Sequence, residues 1–522
     1  MAQGTPSWLN ADFTKRLLRL SEGDSTIQVI DIFAKPATSK GDNYTSDMIR
    51  VAIEFTRQKG DQTVNEKKTL IFKLEPLNEG ARQDMIQNIG IFDTEIAMMT
   101  DALKKMNDML SPDFRLGARC LHVRMERPLG LVMEDLAPLG FRMADRQAGL
   151  DLAHCLVAIR GLAKFHAASV ALCEKEPKHK SVYRKGMFHL EHPDDMRMFF
   201  TGAFNSLANE IETWPELGKT YADKVRALAV DLFSKGIDVL KRNDDEFNVI
   251  NHGDCWVNNM LFRYDDNGKP VENIFVSKRS VGTNGRSENF NRSRHIKLDQ
   301  TRTNYTRLNC DQTIPSCSKA TSSCNETIIR LYQTTPNCNA HSHLKFNIIF
   351  PLKNLLQGLL SQTSNKTNNC RSRRTISHGP STSSNSRFQV DFQLCLYTSP
   401  AIDLLYFLST SPSVEVSDHS TDTVLEEYLR TLSSTMKRLG CKTAPPTMED
   451  IKRSMKERAI YGMISSMTVL PIVLVDKSDA MDIDEIMANG GDYDNPGFKS
   501  PTYRKILGKR MPKYLEMGLL DP

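Results

Sequence analysis

The first part of the chain alternates apolar and polar positions. Three segments show this alternation or are rich in β-branched residues: "TIQVIDIFAKP", "SDMIRVAIEFT" and "KTLIFKLEP". Such patterns predict strands, because successive side chains of a strand point to opposite faces of the sheet. The Gly, Asp and Asn of "SKGDNYT" predict a turn between the first two. We therefore expect about five strands here, followed by one helix in "IFDTEIAMMTDALKKMNDML", whose apolar residues recur at helical spacing.

The later part of the chain has the apolar spacing of helices. Four segments show it: "LDLAHCLVAIRGLAKFHAASVAL", "KVRALAVDLFSKGIDVLKR", "STDTVLEEYLRTLSSTMKRLG" and "MEDIKRSMKERAIYGMISSM". The order of the two patterns predicts an α+β protein of two lobes. A β-rich N-lobe, residues 1–133, would precede a larger α-rich C-lobe, residues 134–275 and 390–522.

Residues 276–389 differ in composition from both lobes. They contain 17 Lys and Arg against four acidic residues, a local balance of +13 in a chain whose net charge is +5. The rest of the chain is therefore acidic, at −8, which argues against a nucleic-acid-binding protein. The segment is also rich in Asn, Ser and Thr and contains five of the 11 Cys. Its polar composition predicts a long disordered insertion.

The overall composition is that of a soluble protein, with 40% hydrophobic and 25% charged residues. The start of the chain has no basic region followed by an apolar one, so we expect no secretory signal. The longest apolar run, "MISSMTVLPIVLV", is too short to span a bilayer. The odd number of Cys, without framework spacing, favours reduced thiols. We expect a cytoplasmic monomer without a membrane span.

The motif "HGDCWVNN" carries the clearest chemistry. His252, Asp254 and Asn259 stand at the spacing H-x-D-x-x-x-x-N. In a phosphoryl-transfer site, a short loop presents a carboxylate to the acceptor hydroxyl, and an amide five residues later reaches the metal on the nucleotide phosphates. This spacing predicts a catalytic loop with Asp254 and His252 as its catalytic residues.

The sequence after this motif predicts a hairpin that returns to it. Two alternating runs flank "DDNG", which is typical of a tight hairpin turn. The end of the second strand would face Asn259, where phosphoryl transfer needs a second metal-binding carboxylate. Asp391 in "VDFQ" is that carboxylate, provided that Phe275 is followed by Val390.

The edges of the interruption suggest how it arose. Val276-Ser277 can be encoded as GTRAGT, a splice-donor consensus, and Phe388-Gln389 as TTTCAG, a splice-acceptor consensus. Removing residues 276–389 joins "VENIF" to "VDFQ" without loss. We interpret the segment as a translated intron. The alternative is a genuine disordered insertion with a regulatory use.

These motifs resemble the ecdysteroid kinase-like family (CHK kinase-like domain), which is related to choline kinases and aminoglycoside phosphotransferases. The resemblance covers nearly the whole chain outside residues 276–389. Its motifs run in order as "GDNYTSDMIRV", "LIFKLEP", "FDTEIAMM", "LVMEDLAPLGFRMADR", "LAKFHAAS", "HGDCWVNN" and "VDFQLCLYTSPAIDLLYFL". It implies a two-lobe, protein-kinase-like fold and a small-molecule kinase that uses ATP and Mg²⁺.

The resemblance also implies roles for the N-lobe residues. Lys73 would hold the nucleotide phosphates and would itself be held by Glu95. The turn at Gly41 and Asn43 would cover the phosphates. The backbone from Met133 and Glu134 onward would bind adenine.

In the C-lobe the resemblance implies that Asp254 is the catalytic base and that Asn259 and Asp391 are the Mg²⁺ ligands. His166 of "LAKFHAAS" is expected to pack rather than to react. Only nine residues, Phe392 to Pro400, separate Asp391 from the helix "AIDLLYFL", which leaves no room for the activation segment of a protein kinase. The expected acceptor is therefore a hydroxyl of a small, lipophilic molecule, such as an ecdysteroid-like compound or a xenobiotic. The alternative is an inactive protein of the same fold that binds or sequesters a lipophilic ligand.

Overall fold

The computed structural model describes residues 5–37, 45–112, 114–275, 392–476, 479 and 495–521, which belong to one compact unit. The N-lobe is built on an antiparallel sheet in the order β1-β2-β3-β5-β4. Its strands are β1 (Gln28–Pro36), β2 (Asp47–Lys59), β3 (Gln62–Leu74), β4 (Cys120–Arg124) and β5 (Gly130–Glu134). The predicted strands are therefore confirmed, and β3 begins earlier than its apolar core because its polar half continues the hairpin with β2.

The two faces of this sheet have different partners. Helix α1 (Ala11–Glu22) packs its Leu17 and Leu18 with Phe72 in a core cluster on one face. Asn10 caps the start of α1, and Gly23 ends it in the left-handed conformation at φ 64°. On the other face, side chains such as Ile71 join the core of the C-lobe. The centre of the sheet, at the end of β3, is therefore buried on both sides.

The predicted helix after the strands is continuous but not regular. It follows α2 (Ala81–Ile89) and consists of α3 (Ile91–Ala97), a π-helical turn (Met98–Ala102) and α4 (Leu103–Leu110). A π turn adds one residue to a helical turn and so rotates the residues on either side relative to each other. Both ends of the segment can then present apolar side chains to the core, as Phe92 and Met106 do.

The C-lobe surrounds one long apolar helix, α5 (Leu152–Lys175). Its other helices are α6 (His179–Val182), α7 (Asp194–Glu212), α8 (Gly218–Leu240), α9 (Ala401–Thr410), α10 (Val414–His419), α11 (Thr421–Leu439), α12 (Met448–Glu457), α13 (Ala459–Thr468), α14 (Leu470–Leu474) and α15 (Pro501–Glu516). Of the described helices, α5 alone is long and apolar enough to cross a membrane, and 78% of that stretch is buried inside the fold. Its apolarity is thus explained by its place in the core.

Two small antiparallel pairs support the catalytic loop. Strand β6 (Val249–Asn251) pairs with β9 (Leu396–Thr398), and β7 (Met260–Tyr264) pairs with β8 (Pro270–Phe275). The hairpin predicted around "DDNG" is therefore confirmed. Its last pair joins Met260 to Phe275, which returns the chain to the neighbourhood of Asn259.

The chain segments on either side of residues 276–391 come together beside His252. The ring of His252 lies 5.4 Å from that of Phe275 and 4.8 Å from that of Phe392. Phe165 on α5 also contacts both phenylalanine rings, at 6.4 and 5.9 Å. The structural predictions for residues 276–389 lie outside the described residues, but the two chain segments that flank the interruption pack against the same side chains.

Candidate active site

Lys73 and Glu95 form a buried ion pair between the sheet and α3. Lys73 stands near the end of β3 in register with Met48 and Leu131, on the face of the sheet that meets the C-lobe. Its Nζ lies 2.5 Å from Oε2 of Glu95, and both side chains are fully buried. The contact predicted from two motifs 22 residues apart is present in the structure.

Burial moves the pKa values of this pair toward neutrality. Desolvation lowers the pKa of Lys73 to about 8, against the attraction of Glu95 and, more weakly, of Asp254. Desolvation likewise raises the pKa of Glu95, against the attraction of Lys73. The effect of Asp254 on Lys73 indicates that the N-lobe lysine and the C-lobe carboxylate share one electrostatic environment.

Gln393 connects this pair to the turn that precedes β9. The turn is a short 3₁₀ helix, Phe392–Leu394. The Nε2 of Gln393 donates a hydrogen bond of 3.2 Å to Glu95 Oε2, the oxygen that also faces Lys73. Gln393 is 3% exposed. It is a site residue that the sequence analysis did not identify, since 298 residues separate it from its partner.

The catalytic loop depends on a glycine that no other residue could replace without movement. Gly253 has φ 81°, in the left-handed region. A Cβ atom added there would lie 1.9 Å from the carbonyl oxygen of Leu394. The backbone before Asp254 therefore lies directly against the Phe392–Leu394 turn.

Asp403 of α9 anchors this loop from below. Its Oδ2 accepts the backbone N–H of His252 at 2.7 Å and its Oδ1 that of Gly253 at 2.8 Å. His166 Nε2 lies 3.0 Å from the same Oδ2, and Tyr428 OH lies 2.8 Å from His166 Nδ1. His166 thus packs in the core and braces Asp403. The sequence did contain a signal for Asp403, because a lone carboxylate in the apolar segment "AIDLLYFL" must be paired if it is buried.

Asp254 is held at both carboxylate oxygens. Tyr406 OH donates to Oδ1, and Asn259 Nδ2 donates to Oδ2 at 2.9 Å. Asp254 is 2% exposed, and desolvation raises its pKa to about 7, although the hydrogen bonds from Tyr406 and Asn259 oppose the shift. Such a carboxyl group can exchange a proton near neutral pH.

His252, predicted with Asp254 as a catalytic residue, faces the aromatic side chains that flank the interruption. Its ring is fully buried beside Phe275 and Phe392, and among the described residues neither ring nitrogen has a hydrogen-bond partner. Desolvation lowers its pKa to about 4, so the ring is neutral at pH 7. The ring therefore packs within the fold, and the catalytic role of His252 stays a prediction.

Met133 and Glu134 lie at the end of β5, where the N-lobe passes into the C-lobe. Met133 is buried and pairs with Ile71 of β3. The carboxylate of Glu134 accepts hydrogen bonds from Arg115 Nη1 at 2.6 Å and from the backbone N–H of Arg119 at 2.7 Å. Any adenine contact at Glu134 would therefore fall to its backbone. The other predicted site residues, Gly41, Asn43 and Asp391, lie outside the described residues.

The donor set suits a magnesium nucleotide. Amide oxygens are among the ligands that Mg²⁺ uses in phosphate-transfer sites, and Asn259, whose Nδ2 donates to Asp254, carries such an oxygen. The buried ammonium group of Lys73 suits the anionic phosphates of ATP.

Comparison with known proteins gives one result. A family model described as the ecdysteroid kinase-like family matches residues 40–277 and 376–441, which together are more than half of the chain. The matched ranges contain the ion pair, the catalytic loop and α9 but leave residues 278–375 unmatched. No curated protein matches the chain.

Proposed function

Because the chain belongs to the ecdysteroid kinase-like family, a family of kinase-like phosphotransferases, we propose that it transfers the γ-phosphoryl group of ATP to a hydroxyl of a small, lipophilic molecule. One observation carries this proposal. A buried lysine–glutamate pair of the N-lobe shares its electrostatic environment with a buried carboxylate of the C-lobe whose pKa is about 7. Phosphoryl transfer needs a fixed positive charge at the phosphates and a proton acceptor at the incoming hydroxyl.

In this proposal Asp254 accepts the proton of the acceptor hydroxyl. Tyr406 and Asn259 fix the direction of its carboxylate, so the hydroxyl oxygen is oriented before it attacks. A pKa of about 7 lets the group take a proton at neutral pH and release it afterwards.

Lys73 would hold the β- and γ-phosphates of ATP, and Glu95 would keep its ammonium group in place. Asn259 and Asp391 would hold Mg²⁺, which when bound neutralises charge on the phosphates. The backbone from Met133 onward would bind adenine, and the turn at Gly41 and Asn43 would cover the phosphates. We assign His252 a positioning role, since its buried, neutral ring packs beside Phe392.

We also propose a cytoplasmic monomer that acts on small molecules rather than on nucleic acid. The acidic balance of the chain outside residues 276–389 supports the second part, because a nucleic-acid-binding surface is basic.

Nucleotide turnover tests the proposal. The full chain should hydrolyse or transfer phosphate from ATP only with Mg²⁺, and Asp254→Ala should lower the rate at least about 100-fold, the usual contribution of a general base. Asp231→Ala on α8 is the matched control, because Asp231 is an exposed aspartate outside the site. The alternative, an inactive protein that binds a lipophilic ligand, is supported if MgATP does not raise the melting temperature of the wild-type chain and is not consumed by it.

A further inference from the structure

A small apolar cavity lies between α2, α7 and the Phe392–Leu394 turn. Its volume is about 150 Å³. The walls that matter here are Ile86 and Ile89 of α2, Met196 and Phe199 of α7, and Leu394 of the turn. Sulfur, branched aliphatic and aromatic groups thus enclose a space with few polar atoms.

One wall of the cavity belongs to the site itself. Leu394 touches the backbone of Gly253, the residue before the proposed base. Gln393, which also lines the cavity, donates its hydrogen bond to the Glu95 carboxylate that faces Lys73. A molecule in the cavity would therefore be separated by one residue from the loop that carries Asp254, and by one residue from the Lys73–Glu95 ion pair.

The chemistry of the walls limits what can bind. The cavity is half open, and an apolar space of roughly this size accepts a group about as large as benzene. A charged or strongly polar group would lose its hydration without gaining partners. The volume is also too small for several fused rings, so the cavity would take one part of a larger molecule.

We propose that this cavity binds an apolar ring or short alkyl group next to the reacting hydroxyl of the phosphate acceptor. The inference rests on the proposed function and narrows its substrate class to alcohols that carry such a group close to the hydroxyl. Binding of the group positions the hydroxyl beside Asp254. Polyols and other alcohols without an apolar group are poor acceptors.

The test fills the cavity from α7 and compares two positions on that helix. Met196→Trp places a larger side chain in the cavity, whereas Met198→Trp makes the same change at a side chain that is 55% exposed and outside it. Benzyl alcohol and glycerol are the acceptors. Three quantities are measured on the full chain: kcat/KM for phosphorylation of each alcohol, binding of benzyl alcohol by saturation-transfer NMR, and the thermal shift caused by MgATP.

We expect benzyl alcohol to be preferred over glycerol by about tenfold or more, as hydrophobic pockets discriminate by this order. Met196→Trp should remove that preference and the NMR signal while it leaves the MgATP shift intact, and Met198→Trp should change none of the three. If Met196→Trp does not fold, Met196→Phe fills less of the cavity and should give the same result in weaker form.

The possible failures point to different causes. Unchanged benzyl alcohol binding and preference in the filled variants would overturn the cavity proposal and leave the proposed kinase function standing. A second outcome is that the wild type shows neither a MgATP shift nor phosphorylation, while Met196→Trp still abolishes benzyl alcohol binding. This would overturn the kinase function and support the cavity as a binding site.

Discussion

At the scale of single residues, burial places two charged groups where neutral pH can change them. Asp254 has a pKa of about 7 and Lys73 one of about 8, both because the fold removes water from them. The proposed chemistry needs the first group ionised and the second charged. The interval between the two pKa values is narrow. Asp254 is therefore ionised while Lys73 is charged only near neutral pH.

This interval predicts a bell-shaped pH dependence for kcat/KM of the free enzyme. The rate should rise as pH increases through about 7, because Asp254 loses its proton. It should fall as pH increases further through about 8, because Lys73 loses its charge. Steady-state rates of ATP consumption across this range would measure both limbs. A rate that stays constant from mildly acidic to alkaline pH would show that neither group takes part.

The raised pKa of Asp254 also predicts a stability effect with a definite sign. The folded protein holds this proton up to about pH 7, whereas an aspartate in the unfolded chain loses it near pH 3.8. The contribution of this proton to the free energy of unfolding is therefore fully present below the unfolded pKa and is lost as pH rises from about 4 through 7. Asp254→Asn cannot ionise and should be more stable than the wild type above pH 7, by up to roughly 4 kcal/mol.

Urea unfolding of both proteins at several pH values measures this difference. At pH 4 the two should be nearly equal, which serves as the internal control. A variant that is less stable than the wild type at pH 8 would contradict the prediction.

Part of the site could be predicted residue by residue, and part could not. Lys73, Glu95, Asp254 and Asn259 lie in short motifs whose spacing reflects a local geometry. Gln393 was missed because its contact with Glu95 exists only after distant segments have come together. The surroundings of His252 could not be predicted for a similar reason, because spacing places the residue in the loop but does not indicate which side chains surround its ring.

At the scale of elements, the sequence predicted whether a segment is a strand or a helix better than it predicted irregularities within the segment. The predicted kinase-like fold of a β-rich lobe before an α-rich lobe is confirmed. Alternation identified the strands of the sheet, yet the π turn at Met98–Ala102 followed from packing and had no sequence signal. Helices α1 and α7 were missed, although Asn10 and Gly23 mark the ends of α1. The cavity could not be predicted, because its walls come from separate segments.

Helix α9 carries the anchor of the catalytic loop, which predicts a cost for changing Asp403. Asp403→Asn replaces one of two oxygens that accept backbone N–H groups with an NH₂ group facing a donor. We expect a loss of about 2–4 kcal/mol in the free energy of unfolding, since a buried, charge-assisted acceptor is left incomplete.

The matched control is Asp418→Asn on α10. Asp418 pairs with Lys509 at the surface, where its side chain is 38% exposed, and such pairs contribute less than about 1 kcal/mol. Guanidinium unfolding of both variants gives the comparison. Equal, small losses would show that Asp403 is not an anchor.

At the scale of the whole molecule, the chain segments on either side of residues 276–391 pack against the same side chains. Phe275 and Phe392 both pack on His252 and Phe165. Without residues 276–389, two residues would join them, and three peptide steps reach about 10 Å. The end of β8 and the start of the Phe392–Leu394 turn thus lie beside the same side chains, which favours a direct connection between them.

This arrangement predicts that the chain lacking residues 276–389 folds and keeps the site. If the removed segment is disordered, as its composition predicts, its deletion should also raise stability, because closing a long loop costs entropy that grows slowly with its length. Melting temperature and the MgATP shift of the shortened chain test this, with a chain in which a Gly-Ser linker of equal length replaces the segment as the control.

The cDNA gives an independent answer about the segment's origin. A native product shorter by 342 nucleotides over this region, the coding length of residues 276–389, would establish the intron. A full-length product would favour the regulatory insertion. A shortened chain that fails to fold would show that the segment is part of the structure.

Phe275 and Phe392 both pack on His252, so the chain between them is a suitable place to divide the protein into two fragments. Residues 1–275 would contain the sheet, α5 and the catalytic loop, and residues 390–522 would contain Asp403 and Tyr406, which complete that loop. Neither piece holds a whole site. Under the proposed function, two such fragments, each fused to one member of an interacting pair, would recover phosphotransfer only when the pair meets, and the protein would then report molecular proximity.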